Sequence, residues 1–160
     1  MRATLKTLFR WALLVVATGP AVAAAPPAHP EVGTWKLNLA KSVWAPGPAP
    51  RSQFRIYSES AQGMTLTLRT TAADGKQTTT TATFKEDGTP AAVSGNPEYD
   101  IVSAKRLDAL TVQSILMTAG KTVGIAVRAV SKDGKTLTFA QKGTNANGVM
   151  YDSVVVYDRQ

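Results

Sequence analysis

Gly33-Thr34-Trp35-Lys36-Leu37-Asn38-Leu39 decides the fold class of this chain. Trp35, Leu37 and Leu39 alternate with Thr34, Lys36 and Asn38, so one face is apolar and the other polar. That period of two marks a half-buried strand. The same pattern recurs downstream. Phe54 and Ile56 alternate with Arg55 and Tyr57, and Met64, Leu66 and Leu68 alternate with Thr65, Thr67 and Arg69. Further strands are predicted over 77–84, 99–106, 110–118, 122–131, 135–142 and 149–157. The threonine-rich segment 77–84 has no clear inward face. Val123, Ile125 and Val127 form the clearest apolar stripe, which sets Arg128 on the opposite side of its strand.

Glycine turns punctuate the series. Gln62-Gly63, Asp74-Gly75, Asp87-Gly88, Ala119-Gly120, Asp133-Gly134 and Asn147-Gly148 each offer the positive φ that a tight hairpin needs. Gly95-Asn96-Pro97 and Leu107-Asp108-Ala109 are the remaining breaks. Turns fall about 12 to 14 residues apart, with a shorter gap around 88–95, which suits long strands joined to their sequence neighbours. The expectation is an all-β, up-and-down antiparallel meander of nine or ten strands. A meander of that size has two exposed edges unless it closes, and closure into a barrel removes both. A sandwich would require long crossovers, and almost every link here is short. The exception is 40–50, where Pro46, Gly47, Pro48 and Pro50 forbid a helix or central strand. Trp44 in this loop is expected to plug the end of the core.

The segment before the opening strand reads as a leader and a tail. Arg2, Lys6 and Arg10 make a basic start, 11–18 is a short apolar run, and Ala21-Val22-Ala23 supplies small residues for cleavage. Residues 1–23 are therefore predicted to be a cleaved secretory signal peptide. The apolar run is well short of the ~20 residues of a membrane span. Residues 24–31 are Ala/Pro-rich and expected to be a disordered tail, carrying the chain's only histidine, His29. Residues 32–160 form a single predicted domain. The expected location is the periplasm or outside the cell, with no membrane anchor after cleavage.

The chain of 160 residues carries 18 Lys and Arg against 11 Asp and Glu, a net charge of +7. Loss of 1–23 removes three of the basic residues and none of the acidic ones, leaving 15 against 11. Lys105-Arg106 is the only adjacent basic pair after that point, so the clustered cations of a nucleic-acid binder are missing. The chain has no cysteine, which excludes disulfides, thiol nucleophiles and a lipid-modified cysteine. With no cysteine, and its one histidine assigned to the tail, the predicted domain lacks a Ser-His-Asp or Cys-His arrangement and the usual zinc and haem ligands. Glu98, Asp100 and Asp152 read as turn or solvent carboxylates rather than a catalytic pair. No catalysis, cofactor or metal is expected.

Gly33-Thr34-Trp35-Lys36-Leu37 resembles the opening strand of the calycins, the lipocalin and fatty-acid-binding-protein superfamily, in which a Gly-x-Trp motif begins the barrel. Val155-Val156-Tyr157-Asp158-Arg159 is similar to the finish of intracellular fatty-acid-binding proteins. A closer similarity is to a group of exported bacterial proteins. These begin Gly-Thr-Trp-Lys-Leu-Asn-x-Ala-Lys-Ser, carry Ser-Lys-Asp-Gly-Lys-Thr-Leu-Thr and end on a Val-Tyr-rich strand, matched here at 33–42, 131–138 and 154–157. That group brings a fold and a compartment but no activity. The resemblance implies that Gly33, Trp35 and Arg159 close the barrel, the first and last strands meeting so that Arg159 stacks on the Trp35 ring.

The chain departs from the fatty-acid-binding pattern in two places. The loop 45–50 stands where a helical lid would be inserted. Tyr157 matches the tyrosine of the carboxylate-binding pair, but Val155 stands in place of its arginine, and Arg128, the candidate for a second arginine, is out of phase with the apolar stripe.

If Tyr157 points inward, strand parity turns Val155, Ser153 and Tyr151 inward with it. Those four and Arg128 are the candidate ligand-binding residues. The functional expectation is an exported, monomeric calycin-like barrel that carries a small hydrophobic or amphipathic ligand. The alternative is a structural or interaction module of the cell envelope with a packed interior.

Overall fold

The computed structural model describes residues 29–160; the expected leader at 1–23 lies outside them. Ten strands follow in order: β1 (Gly33–Leu37), β2 (Ser52–Ser60), β3 (Gly63–Thr71), β4 (Gln77–Phe84), β5 (Asp87–Ser94), β6 (Ile101–Arg106), β7 (Thr111–Thr118), β8 (Lys121–Val130), β9 (Thr136–Thr144) and β10 (Met150–Arg159). Each pairs antiparallel with its sequence neighbours, and β1 pairs with β10, so the meander closes into a barrel. The only helical piece among the described residues is a single 3-10 turn, Leu39–Lys41.

The tenth strand is β5, which lies in the short gap between the Gly88 and Gly95 turns. It pairs with β4 only through Thr81–Ser94 and Ala82–Val93. Its register against β6 slips between Asp87 and Pro90. Pro90 has no N–H to give a ladder, which explains why the segment reads poorly as a strand.

The face assignments correct part of the sequence reading. In β8 the inward residues are Gly124, Ala126, Arg128 and Val130, and the Ile125–Val127 stripe faces outward. A register slip opposite Leu116 and Met117 makes Val123 the extra residue of a bulge, so it packs partly against the core. In β2 the buried residues are Gln53, Arg55 and Tyr57, while Phe54 and Ile56 lie outside. The face of β4 left open by its sequence is Thr80, Ala82 and Phe84 inward. The interior is therefore apolar on the β3–β4 side and carries two arginines and two tyrosines on strands whose outer faces are also apolar.

The barrel has two different ends. One holds the start of β1, the finish of β10 and the β2–β3, β4–β5, β6–β7 and β8–β9 turns. The other holds the 38–51 loop and the β3–β4, β5–β6, β7–β8 and β9–β10 turns. The loop does not fold over as a lid. It runs along β10, exchanging backbone hydrogen bonds between Val43 and Val154 of 2.7 and 2.9 Å. This continues the partner line for β10 after β1 stops at Leu37. Ser153 locks the register, donating its hydroxyl to the Ala45 carbonyl at 3.0 Å.

Candidate functional site

The first end is shut. Trp35 is fully buried, and its indole N–H donates to the Glu31 carbonyl at 2.8 Å. Arg159, directly across the β1–β10 ladder, lies 4.1 Å above the Trp35 ring, as the resemblance implied. Its guanidinium also donates to the carbonyls of Pro30, Val32 and Gly134. Gly33 makes room for it: the backbone there has φ +134°, and a β-carbon would sit 2.8 Å from the Arg159 guanidinium.

Residues 29–31, assigned to a loose tail from their composition, are instead packed onto this end. Glu31 is fully buried and pairs with Arg128, which also pairs with Glu86. Arg106 bridges to the same two carboxylates, and His29 lies 3.1 Å from Glu86. A buried arginine needs carboxylates, and this need draws the segment in. Burial works against the Arg128 charge, yet Tyr57 and the two carboxylates more than offset it and raise its pKa above the ordinary value. His29, Glu31 and Glu86 stand close enough together to ligate a cation, but two guanidiniums already occupy the carboxylates.

The opposite end opens into the barrel. A chamber of about 330 Å³ lies there, rimmed by Trp44 and Pro46 of the loop. Trp44 is only half-buried, so it edges this opening rather than sealing it. Four predicted residues, Tyr157, Val155, Ser153 and Tyr151, face it together. Arg128 is not among them; it stands deeper, beside an inner apolar hole of about 30 Å³. Arg55, Thr80, Tyr99 and Phe139 line both spaces and join them.

Arg55 is the main residue that the sequence reading missed. It is 5% exposed and sits 3.8 Å from the Phe139 ring centre. Its Nε donates to the Tyr157 hydroxyl at 3.2 Å and its Nη1 to the Tyr57 hydroxyl at 2.8 Å. Tyr157 in turn donates to Gln53. Burial pushes the Tyr157 and Tyr99 phenols above their ordinary range, against the opposing pull of Arg55. The unfolded chain then loses these protons first as pH rises past about 10, so stability is expected to fall from there upward. Denaturant melts between pH 8 and 11, beside absorbance titration of the phenols, measure this. Native phenols that ionise together with the unfolded ones would contradict it.

Tyr151 owes its position to two glycines. A β-carbon on Gly143 would stand 2.6 Å from its hydroxyl, and one on Gly124 closer still. The Tyr151 hydroxyl therefore lies against the backbone of both strands, in room that only glycine leaves. Gly124→Ala is expected to cost about 1–3 kcal/mol by overpacking, most of it recovered by Tyr151→Phe in the same chain. Urea unfolding of the three variants checks this, and no recovery in the pair would refute the wedge.

Of the carboxylates considered for chemistry, Glu98 accepts from the Ala146 N–H at 3.0 Å and Asp100 accepts from the Ala119 N–H at 3.5 Å. Both brace turns. Asp152 faces Lys142 across the β9–β10 ladder.

The architecture is a closed ten-stranded antiparallel barrel, compatible with the lipocalin and fatty-acid-binding-protein fold. No protein-family model matches the chain, and no curated protein matches it either.

Proposed function

We propose that this barrel is an exported binding protein for a small amphipathic molecule, taken up through the open end. The observation that carries this reading is the chamber of about 330 Å³, reached from solvent and bounded by both apolar and hydroxyl side chains. Val155 and Phe139 supply apolar wall, while Tyr157, Ser153 and Tyr151 supply hydroxyls. The shut end gives the chamber a floor, and the 38–51 loop leaves its mouth uncovered. A packed structural module would fill this space at the mouth with side chains. Residues 1–23 supply the export signal in this reading. Binding rather than catalysis is the activity proposed.

Native mass spectrometry of protein isolated from the periplasm of its host is the direct test. The expected result is a mass starting near residue 24, with a bound species of a few hundred daltons that dissociates on activation. Protein that is always ligand-free, and whose melting temperature no chamber-sized compound raises, would leave the packed-module alternative in its place.

A further inference from the structure

We infer that the molecule held in the chamber is a compact, hydroxyl-bearing carboxylate whose negative group docks on Arg55, and not a long-chain lipid. This rests on the binding reading above and adds the charge and polarity of the ligand.

The first observation is a charge left unmatched. Two arginines are buried, Arg55 at 5% exposed and Arg128 at 4%. Arg128 has two carboxylates, Glu31 and Glu86. Arg55 has none among the described residues; only phenol hydroxyls and ring faces meet it. Burial works against the Arg55 charge and the tyrosines around it hold its pKa above the ordinary value, yet no carboxylate among the described residues matches that charge.

The second observation is where the spare hydrogen-bonding capacity points. Nε and Nη1 of Arg55 are engaged, and Nη2 makes no hydrogen bond among the described residues. No fully buried side-chain nitrogen or oxygen there lacks a partner. Nη2 is therefore the part of Arg55 that faces the open space it lines. A carboxylate there would accept from Nη2 and would lie beside the Tyr157 hydroxyl.

The third observation concerns the rest of the ligand. The apolar hole below Arg55 is about 30 Å³, room for a water-sized group and not for an alkyl chain. Any larger body must lie on the mouth side. That side is bounded by Gln53, Thr70, Thr78, Gln141 and Asn145, with aromatic rings between them. The amides of Gln141 and Asn145 donate to no protein group among the described residues. A hydrocarbon tail laid there would strip water from these groups and give nothing back, whereas ligand hydroxyls would satisfy them.

Calorimetric titration of the mature protein separates the possibilities. The acids are galacturonate and 4-hydroxybenzoate, their neutral counterparts galactose and 4-hydroxybenzamide, and the lipid control palmitate. At least one acid should bind ten-fold or more tightly than its neutral counterpart. Arg55→Met should bring that acid to the level of the neutral compound, Arg55→Lys should keep part of the preference, and palmitate should not compete. Far-UV circular dichroism confirms that each variant is folded, and the acid-to-neutral ratio on the unaltered protein needs no variant. Equal binding of acid and neutral compound, or palmitate as the tightest ligand, overturns the inference while the binding reading stands. No binding by any of the five overturns both.

Discussion

Replacing Trp35 with alanine is expected to lower unfolding free energy by about 3–5 kcal/mol, the range for removing a large aromatic from a core. Total stability for a domain of this kind is about 5–15 kcal/mol, so much of it would go. The size of the effect follows from what converges on this ring. It is fully buried, carries Arg159 at 4.1 Å on its face and holds the Glu31 carbonyl by its N–H. Trp35→Phe keeps a face for Arg159 and loses the N–H, so it should cost less, about 1–3 kcal/mol from the unmatched carbonyl. Urea unfolding of both variants gives the comparison. A Trp35→Ala chain within 1 kcal/mol of the parent would mean that the end of the barrel is held by something else.

The second large effect is expected at Glu31. Glu31→Ala leaves Arg128 buried with Glu86 alone, and breaking one side of a buried ion pair costs about 3–5 kcal/mol. Glu86 shares the charge, so the lower end of that range is expected. Removing both charges together should be much milder, because no uncompensated ion remains. Glu31→Leu with Arg128→Met is therefore expected to be more stable than Glu31→Ala alone. A double-mutant cycle in urea measures the coupling. Simple additivity of the two sites would show that the buried pair does not act as a unit.

These two residues also show what the sequence can and cannot disclose. Trp35 was legible, since alternation around it and the glycine turns after it allow only a strand followed by hairpins. Closure was legible too, from the number of strands and the shortness of their links. Glu31 was not, because its surroundings are alanine and proline and its partner Arg128 is 97 residues away. Arg55 was hidden for a different reason. On β2 and β8 both faces carry large or apolar side chains, so period two locates the strand without choosing its inner side. The register of β2 against β1 would have chosen, since Trp35 and Arg55 are cross-strand partners. That register is set by a long proline-rich loop rather than a two-residue turn, and only tight turns fix register from sequence. Tyr157, Val155, Ser153 and Tyr151 followed correctly from one another because β10 runs without a bulge against β9.

The pairing of Trp35 with Arg159 also governs when this chain can finish folding. Every other seam of the barrel joins neighbours in the chain, and all of these but β1–β2, spanned by the 38–51 loop, can zip as local hairpins. The β1–β10 seam pairs Trp35 with Arg159, 124 residues on, and its last hydrogen bond runs from the Gln160 N–H to the Thr34 carbonyl at 2.9 Å. Hairpins made early must therefore wait as an open, two-edged sheet until the final strand arrives, and contacts of such long range are the slow ones to form. Under the export proposed above, that arrangement would give an unfolded chain time to cross a membrane, because its defining contact cannot form until β10 is present.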